Sequence, residues 1–518
     1  MMRISTSIFF EQGVQSMQQH QAELVRQQQL LSSGRRALTP ADDPVATTRA
    51  LEVKQSQALN QQYDINAGNA QSQLGLEEQA LKSVVNLLQD VKVLALNANN
   101  APLGNNDRLS IATDLRGRFE ELLGLANSTD GNGQYLFSGY QGSNKAFSEV
   151  APGYVVYNGD QGQRMVQVSP SQQIAISDSG SDVFQRIRNG NGNFVTSAAR
   201  MSTTAATANT GTGKISTVSV SGPPYNTNLS QPVTITFTSP TTFDVTGTGT
   251  GLPATGVSYT AGAPISYNGW TASITGVPAT GDVFNIAPNA GTGIISVGVV
   301  NNQSAWNAAT NKNLSIRFAV DNTVTPAVTT YDIVNNVTGN SLLTGAAASN
   351  FGPYARTYSA GTAISLKSQG AEPAFDYGAS VEISGVPANG DTFNVAASSS
   401  TDIFTTLSNL ITALQTPVTS GAGTASLNNS LNTALKEIDN SIEQVLTVEA
   451  SVGARLRAAE VAQSTGQDLA LQYQQTLSNL QDLDYAKAIS DLNFQQMQLD
   501  AAQKSFMQVQ SLSLFNYL

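Results

Sequence analysis

His20 is the single histidine of this 518-residue chain, and there is no cysteine. A Ser-His-Asp triad, a multi-histidine metal site, thiolate catalysis and disulfides are therefore all out of reach within one chain. Asp42 and Asp43 form a carboxylate pair of the kind that does acid-base work, but Pro44 follows them. Asp43 before Pro44 reads more simply as a helix cap and a first helical residue. Gly247-Thr248-Gly249-Thr250-Gly251 lacks the Lys-Ser/Thr of a phosphate loop and reads as a flexible hairpin. Asp130-Gly131-Asn132-Gly133 resembles a calcium loop without its closing acid, and reads as a helix stop. The expectation is a chain with no catalytic residues, no bound metal and no cofactor.

The elements around these residues fall into two kinds. The first 130 or so and the last 110 or so residues are rich in Gln and Leu with helical spacing, whereas the middle is rich in Gly, Thr, Ser and Val and alternates like β-structure. Phe10, Met17, Leu24 and Leu31 recur every seven residues, with Val14 three before Met17, as in a coiled-coil seam. Gln21 and Gln28 fill the companion positions in this reading, so the helix is too polar to stand alone and needs a partner. After a break at Ser33-Gly34 and Thr39-Pro40, a second seam runs through Leu74, Leu81, Val84, Leu88, Val91 and Ala95. A turn at 99 to 106 leads to a third helix, with Asp107 as cap and Ile111, Leu115, Phe119 and Leu122 on one face.

Periodicity returns at Leu431, Leu435, Ile438, Ile442, Val445, Val452 and Leu456. It runs on through Tyr485, Ala488, Leu492, Leu499, Ala502, Phe506 and Val509, with only Gln495 breaking the last seam. First and last helices thus match in length, Gln content and thin apolar stripe, as two halves of an antiparallel hairpin or bundle would. For the inner helices the stripes read as an ordinary bundle core. For the outermost helices burial against other molecules is the better account, with ordering on assembly.

The middle carries an internal repeat. Thr241-Thr242-Phe243-Asp244-Val245 recurs as Thr329-Thr330-Tyr331-Asp332-Ile333, and Gly211-Thr212-Gly213 as Gly291-Thr292-Gly293. Residues 276–285 (GVPATGDVFN) recur as 385–394 (GVPANGDTFN) in the same order. The expected fold is α+β and multidomain: helical coiled-coil or bundle domains drawn from both chain ends, enclosing a β-rich insertion with a duplicated β-module. The expected divisions are 1–40 with 484–518, 41–150 with 400–483, and an outer β-rich domain over 151–399. The last would comprise a segment at 151–204, a first lobe at 205–289 and a second at 290–399.

Composition narrows the partners. A formal charge of -11, from 26 basic and 37 acidic residues, sets the overall field against phosphate and anionic lipid. Neither nucleic acid nor a membrane is an expected partner. Charged residues make up only 12% of the chain, so the polarity is mostly uncharged and opposes protein contact little. No apolar run approaches the ~20 residues of a membrane span, and Met1 to Phe10 does not read as a cleavable signal peptide.

Leu31-Ser32-Ser33-Gly34-Arg35-Arg36, followed by Asp42-Asp43-Pro44, resembles the flagellin superfamily. The start Met2-Arg3-Ile4-Ser5-Thr6, the segment Gln134-Tyr135-Leu136-Phe137-Ser138-Gly139 and the closing stretch from Phe494 to Leu518 are more similar to its flagellin-like hook-associated protein 3 family than to filament flagellin. The resemblance covers about residues 1 to 150 and 400 to 518. It implies a non-enzymatic structural component of the bacterial flagellum, exported without a cleavable signal by the flagellar type III apparatus to the cell exterior and required for filament assembly and motility. It further implies self-association in a ring at the junction between the first hook-associated protein and the flagellin filament, and a cytosolic export chaperone on the C-terminal helix. The assembly interface is expected on the helical seams at Phe10, Val14, Met17, Leu24, Leu31, Leu492, Leu499, Phe506 and Val509. A filament flagellin, and an adhesin or glycan-binding module displayed by the β-lobes, are the alternatives.

Overall fold

The computed structural model describes residues 6–511 apart from 101–102, 199, 203–213, 216–218, 221–232, 248–250, 268–269, 288 and 350–351. The expectations resting on Met2 to Ser5, Pro102, Gly211-Thr212-Gly213, Thr248-Gly249-Thr250 and the last seven residues lie outside that set. Long helices come from both chain ends, with the β-rich region between them in the sequence. The chain forms two compact units. One takes residues 1–72, 166–174 and 456–518, and the other takes 73–165 and 175–455.

In the first unit lie α1 (Thr6–Ser33), the beginning of α2 (Pro44–Ala98), the end of α6 (Gly421–Gln481) and α7 (Tyr485–Ser511). Asp43 caps α2 by accepting from Ala46 N at 2.9 Å. Asp42 instead closes the preceding turn, accepting from the backbone of Leu38 and Thr39 at 3.0 and 2.8 Å. Both carboxylates are thus spent, one on the turn and one on the cap, and these bonds hold them below the usual carboxylate range, helped by Arg26 and Arg36. Carboxamides stitch α2 to α6: Asn60 Nδ2 donates to Gly466 O at 2.6 Å and Gln71 Nε2 to Gln463 Oε1 at 2.8 Å.

The second unit has a helical core in which Leu74, Leu81, Val84, Leu88, Val91 and Ala95 of α2 are fully buried. α3 (Asn105–Ala126) buries Leu115, Phe119 and Leu122. Its cap is Gly104, and Asp107 sits at the third helical position, accepting from Gly104 N at 2.9 Å. Asp107 therefore supplies the returning half of a capping box, not the cap expected for it, because a carboxylate there reaches back one turn. The helix ends at Ala126, ahead of the Asp130 turn, with Asn127 as its cap. α5 (Ile403–Gln415) opens on Asp402, which accepts from Thr405 N, and it buries Phe404 against Phe119, Phe147 and Phe184.

The Gln134 to Gly139 segment is bound to this core from several sides. Phe137 O accepts from Gly180 N at 2.8 Å, and the Tyr157 hydroxyl lies 3.0 Å from the same carbonyl. Gly139 adopts φ +69, and a Cβ there would lie 2.6 Å from the carbonyl oxygen of Asp160. Gly139→Ala therefore combines left-handed strain with a backbone clash and is expected to cost about 2–4 kcal/mol. Thermal unfolding of the helical core checks this, and an unchanged midpoint would contradict it.

Two β-lobes complete the second unit, and their topologies coincide. In one, strand Val233–Ser239 pairs with Thr242–Thr246 on one side and Val283–Ala287 on the other, and the edge beyond is Arg200–Ser202. In the other, Asn313–Asp321 pairs with Val328–Asn335 and Thr392–Ala397, and the edge beyond is Phe194–Ala198. A second small sheet repeats likewise, with Pro264–Tyr267 against Trp270–Thr275 and Ala363–Lys367 against Asp376–Ser384. Even the ring contacts recur: Phe237–Tyr259 and Phe318–Tyr358 both meet edge-on at 5.1 Å. Strand Phe194–Ala198, expected in a separate segment at 151–204, belongs to the sheet of the second lobe. The first lobe is thus inserted into the second, a pairing across about 200 residues that local patterning does not reveal.

α6 carries the second lobe on side-chain amides. Asn429 accepts from Ile295 N at 2.8 Å and donates to Gly293 O at 3.1 Å, replacing a missing strand partner. Asn440 Nδ2 reaches the carbonyls of Arg188 and Gly190 at 2.6 and 2.8 Å. A six-residue helix, α4 (Gln303–Ala308), covers Phe194 with Trp306 at 5.1 Å between ring centres.

Candidate functional site: the paired terminal helices

α1 ends where Gly34, at φ +66, donates from its N to Leu30 O at 2.9 Å. Glycine is suited to this left-handed stop, and here it has a second role. A Cβ on Gly34 would lie 2.8 Å from the Tyr485 hydroxyl, where α7 begins. The two turns are hydrogen-bonded: Arg36 N donates to Gln481 O at 2.8 Å and Leu483 N to Gly34 O at 2.9 Å.

From that anchor the helices run antiparallel, since near the other end Gly13 packs against the Phe506 ring, whose Cδ2 would lie 2.8 Å from an added Cβ. Counting between these two fixed points sets Leu24 level with Gln495 and His20 level with Leu499. Val14, Met17, Leu24 and Leu31 on α1 and Leu492, Leu499 and Phe506 on α7 are all half-buried. Phe10 and Val509 belong to the two helices, but their side chains lie outside the described residues.

The companion positions differ from the expectation. Gln21 and Gln28 are exposed, and the half-buried stripe passes through Gly13, His20 and Gln27. The hydrophobic Val14 draws the reading one residue off; the packing frame uses Gly13, where a missing side chain makes room for Phe506. Gln495 does sit in the seam, and its Oε1 is buried without a hydrogen-bond partner. An orphaned carbonyl of this kind costs about 1–3 kcal/mol, so the pair is held weakly at its middle.

Sequence spacing does not reveal the outer side of α7. Ile489, Phe494, Met497 and Met507 lie on the side of the helix away from the seam and are exposed, Phe494 by 53% and Met497 by 61%. Outside its seam with α1, α7 thus leaves four large apolar side chains in water, interspersed with Asn493, Asp500 and Lys504. In the same unit Val45, Leu51, Leu59, Val461 and Leu471 are exposed as well. Each of these side chains is apolar surface still available for burial against a partner. Among the described residues there is no cluster of three or more potential metal ligands, and no helix is long and apolar enough to cross a membrane.

Residues 4–142 match the family model of the bacterial flagellin N-terminal helical region. The chain is similar to the flagellar hook-associated protein 3 of Salmonella typhimurium and to that of Escherichia coli, at 36% identity over 186 residues in each case. That alignment covers 36% of this chain and 58% of each relative, so the chain spans a little over half the length of the curated relatives it matches. Among solved structures it is similar to the flagellar junction protein FlgL from Legionella pneumophila, with a TM-score of 0.57 and 24% identity over 84% of this chain and 100% of that one. The likeness in structure speaks for the fold.

Proposed function

We propose that this chain, which belongs to the flagellin-like hook-associated protein 3 family, is a structural, non-enzymatic subunit of the bacterial flagellum that joins hook to filament. In this reading it acts outside the cell, self-associates in a ring through its terminal helices, and contacts the first hook-associated protein on one side and flagellin on the other. An export chaperone covers the C-terminal helix before assembly. The observation that carries the reading is the set of large apolar side chains, Phe494 and Met497 among them, that α7 leaves exposed outside its seam with α1. A subunit that stays single gains nothing from leaving Phe494 and Met497 in water. Burying each such side chain is worth about 1.5–3 kcal/mol, so neighbours on that face supply a driving force. The seam itself is then a contact within the chain, and the interface between subunits lies on the opposite side of α7.

Deletion of the gene tests the role. Hooks are expected to be present, filaments absent and flagellin shed into the medium. Normal filaments in the deletion strain would overturn the junction reading, and binding of the β-lobes to cells or glycans would then favour an adhesin.

A further inference from the structure

Three groups meet in the second unit where α2, α6 and the loop at 176–180 converge. Glu77 of α2 is 1% exposed; its Oε1 accepts from Asp178 N at 2.9 Å, and its Oε2 is buried with no partner. The Asp178 carboxylate is ion-paired with Arg455 of α6 and also accepts from Gln163 Nε2 at 2.8 Å. Arg455 Nη1 donates to Ala175 O at 3.0 Å. Two buried carboxyls thus share one guanidinium, and that guanidinium is committed to Asp178.

The other charged groups nearby do not relieve Glu77. Glu78 on the same helix turns outward to Lys82 at 2.6 Å. Arg164 is bonded to Gln134 Oε1 at 2.8 Å and lies toward Asp130. Asp182, in the turn of π-helix that follows the loop, is paired with Arg186 at 2.7 Å. An ionised Glu77 would hold an unpaired charge in the interior next to a second carboxylate, the arrangement that proteins avoid by keeping one proton.

We propose that Glu77, Asp178 and Arg455 form a proton-operated lock. With the Glu77 proton in place Arg455 serves Asp178 alone and the 176–180 loop stays pinned to α2 and α6; when the proton leaves to solvent, two carboxylates compete for one cation and the loop is released. Burial, with the Asp178 charge beside it, pushes the Glu77 carboxyl up to about 8, which places the release in mild alkali. The loop matters because it carries the contacts on which the 134–139 segment rests, among them the bridge between Ser138 and Ser179 and the Gly180 N to Phe137 O bond. The lock is independent of the assembly role proposed above.

Hydrogen exchange of the full chain between pH 6 and 9.5, corrected for intrinsic base catalysis, tests it. Protection across 176–180 is expected to fall at least tenfold through the range, while strand Asn313–Asp321 keeps its protection. Glu77→Gln should abolish the fall. Constant protection in the unmodified chain, or the same fall in Glu77→Gln, would overturn the proposal. Should Glu77→Gln fail to fold, Asp178→Asn leaves Arg455 free to pair with an ionised Glu77, and no alkaline release is then expected. Any alkaline release of the loop in Asp178→Asn within this pH range would also overturn it.

Discussion

Met497→Asp is expected to leave the isolated chain folded as before and to abolish assembly, with motility lost. The side chain stands in solvent on the outer face of α7, so a carboxylate there disturbs nothing within the chain. On assembly the same carboxylate would have to be desolvated against an apolar neighbour, at a cost of several kcal/mol for each copy. In a ring that cost recurs at every subunit, and a weak equilibrium is driven fully to monomers. Phe506→Asp is the contrast. It places a charge in the seam against Gly13, so α1 and α7 should separate within the monomer, and hydrogen exchange over residues 6–33 should rise. Sedimentation and exchange distinguish the two faces. Normal swimming by Met497→Asp, or a seam indifferent to Phe506→Asp, would contradict the division of labour on α7.

Glu437→Gln is expected to stabilise the helical core at neutral and alkaline pH and to have little effect below pH 4.5. Glu437 of α6 is buried and accepts from the Thr406 hydroxyl at 2.9 Å, and burial, with Asp402 nearby, pushes its carboxyl from 4.5 up to about 7. The folded value lies above the unfolded one, so the folded chain binds the proton more tightly. Stability present in full below pH 4.5 is therefore lost as pH rises to about 7, by on the order of 3 kcal/mol. Glutamine keeps the shape and the acceptor and removes the titration. Urea midpoints of the helical transition should fall between pH 4.5 and 7.5 in the unmodified chain and stay nearly level in the variant. Parallel pH curves for the two would refute the assignment.

The terminal helices are legible because their seams repeat at fixed intervals: Met17, Leu24 and Leu31 on one side, Leu492, Leu499 and Phe506 on the other. What is not legible is which neighbouring position completes the frame, since a glycine that makes a hole carries no hydrophobic signal. The outer face of α7 escapes for another reason. Ile489, Phe494, Met497 and Met507 have no regular spacing and spread over a wide arc of the helix, and only knowledge of where the seam points shows that they lie outside it. α5 carries a readable signal in Asp402 followed by Ile403, Phe404, Leu407, Leu410, Ile411 and Leu414, a cap and a helical stripe that is shorter than the pattern from Leu431 onward. The β-repeat is plain in its turns because Asp282 and Asp391 are each fixed by the backbone they accept from, at Ala279 and Ala388. Which strand closes each sheet is decided by pairing across the chain and leaves no local trace.

The insertion of one lobe into the other has a mechanical consequence. The chain enters the first lobe along Arg200–Ser202 and leaves it along Val283–Ala287, and these two strands lie side by side. Its exit is then fastened to the second lobe, where Ala290 N and Gly291 N donate to Asp391 at 2.8 and 2.9 Å. The first lobe is a cul-de-sac: its two doors open onto the same wall, so its contents can grow, shrink or change shape without altering the distance between them. Tension along the main chain passes from Phe194–Ala198 to Thr392–Ala397 through the second lobe and bypasses the first.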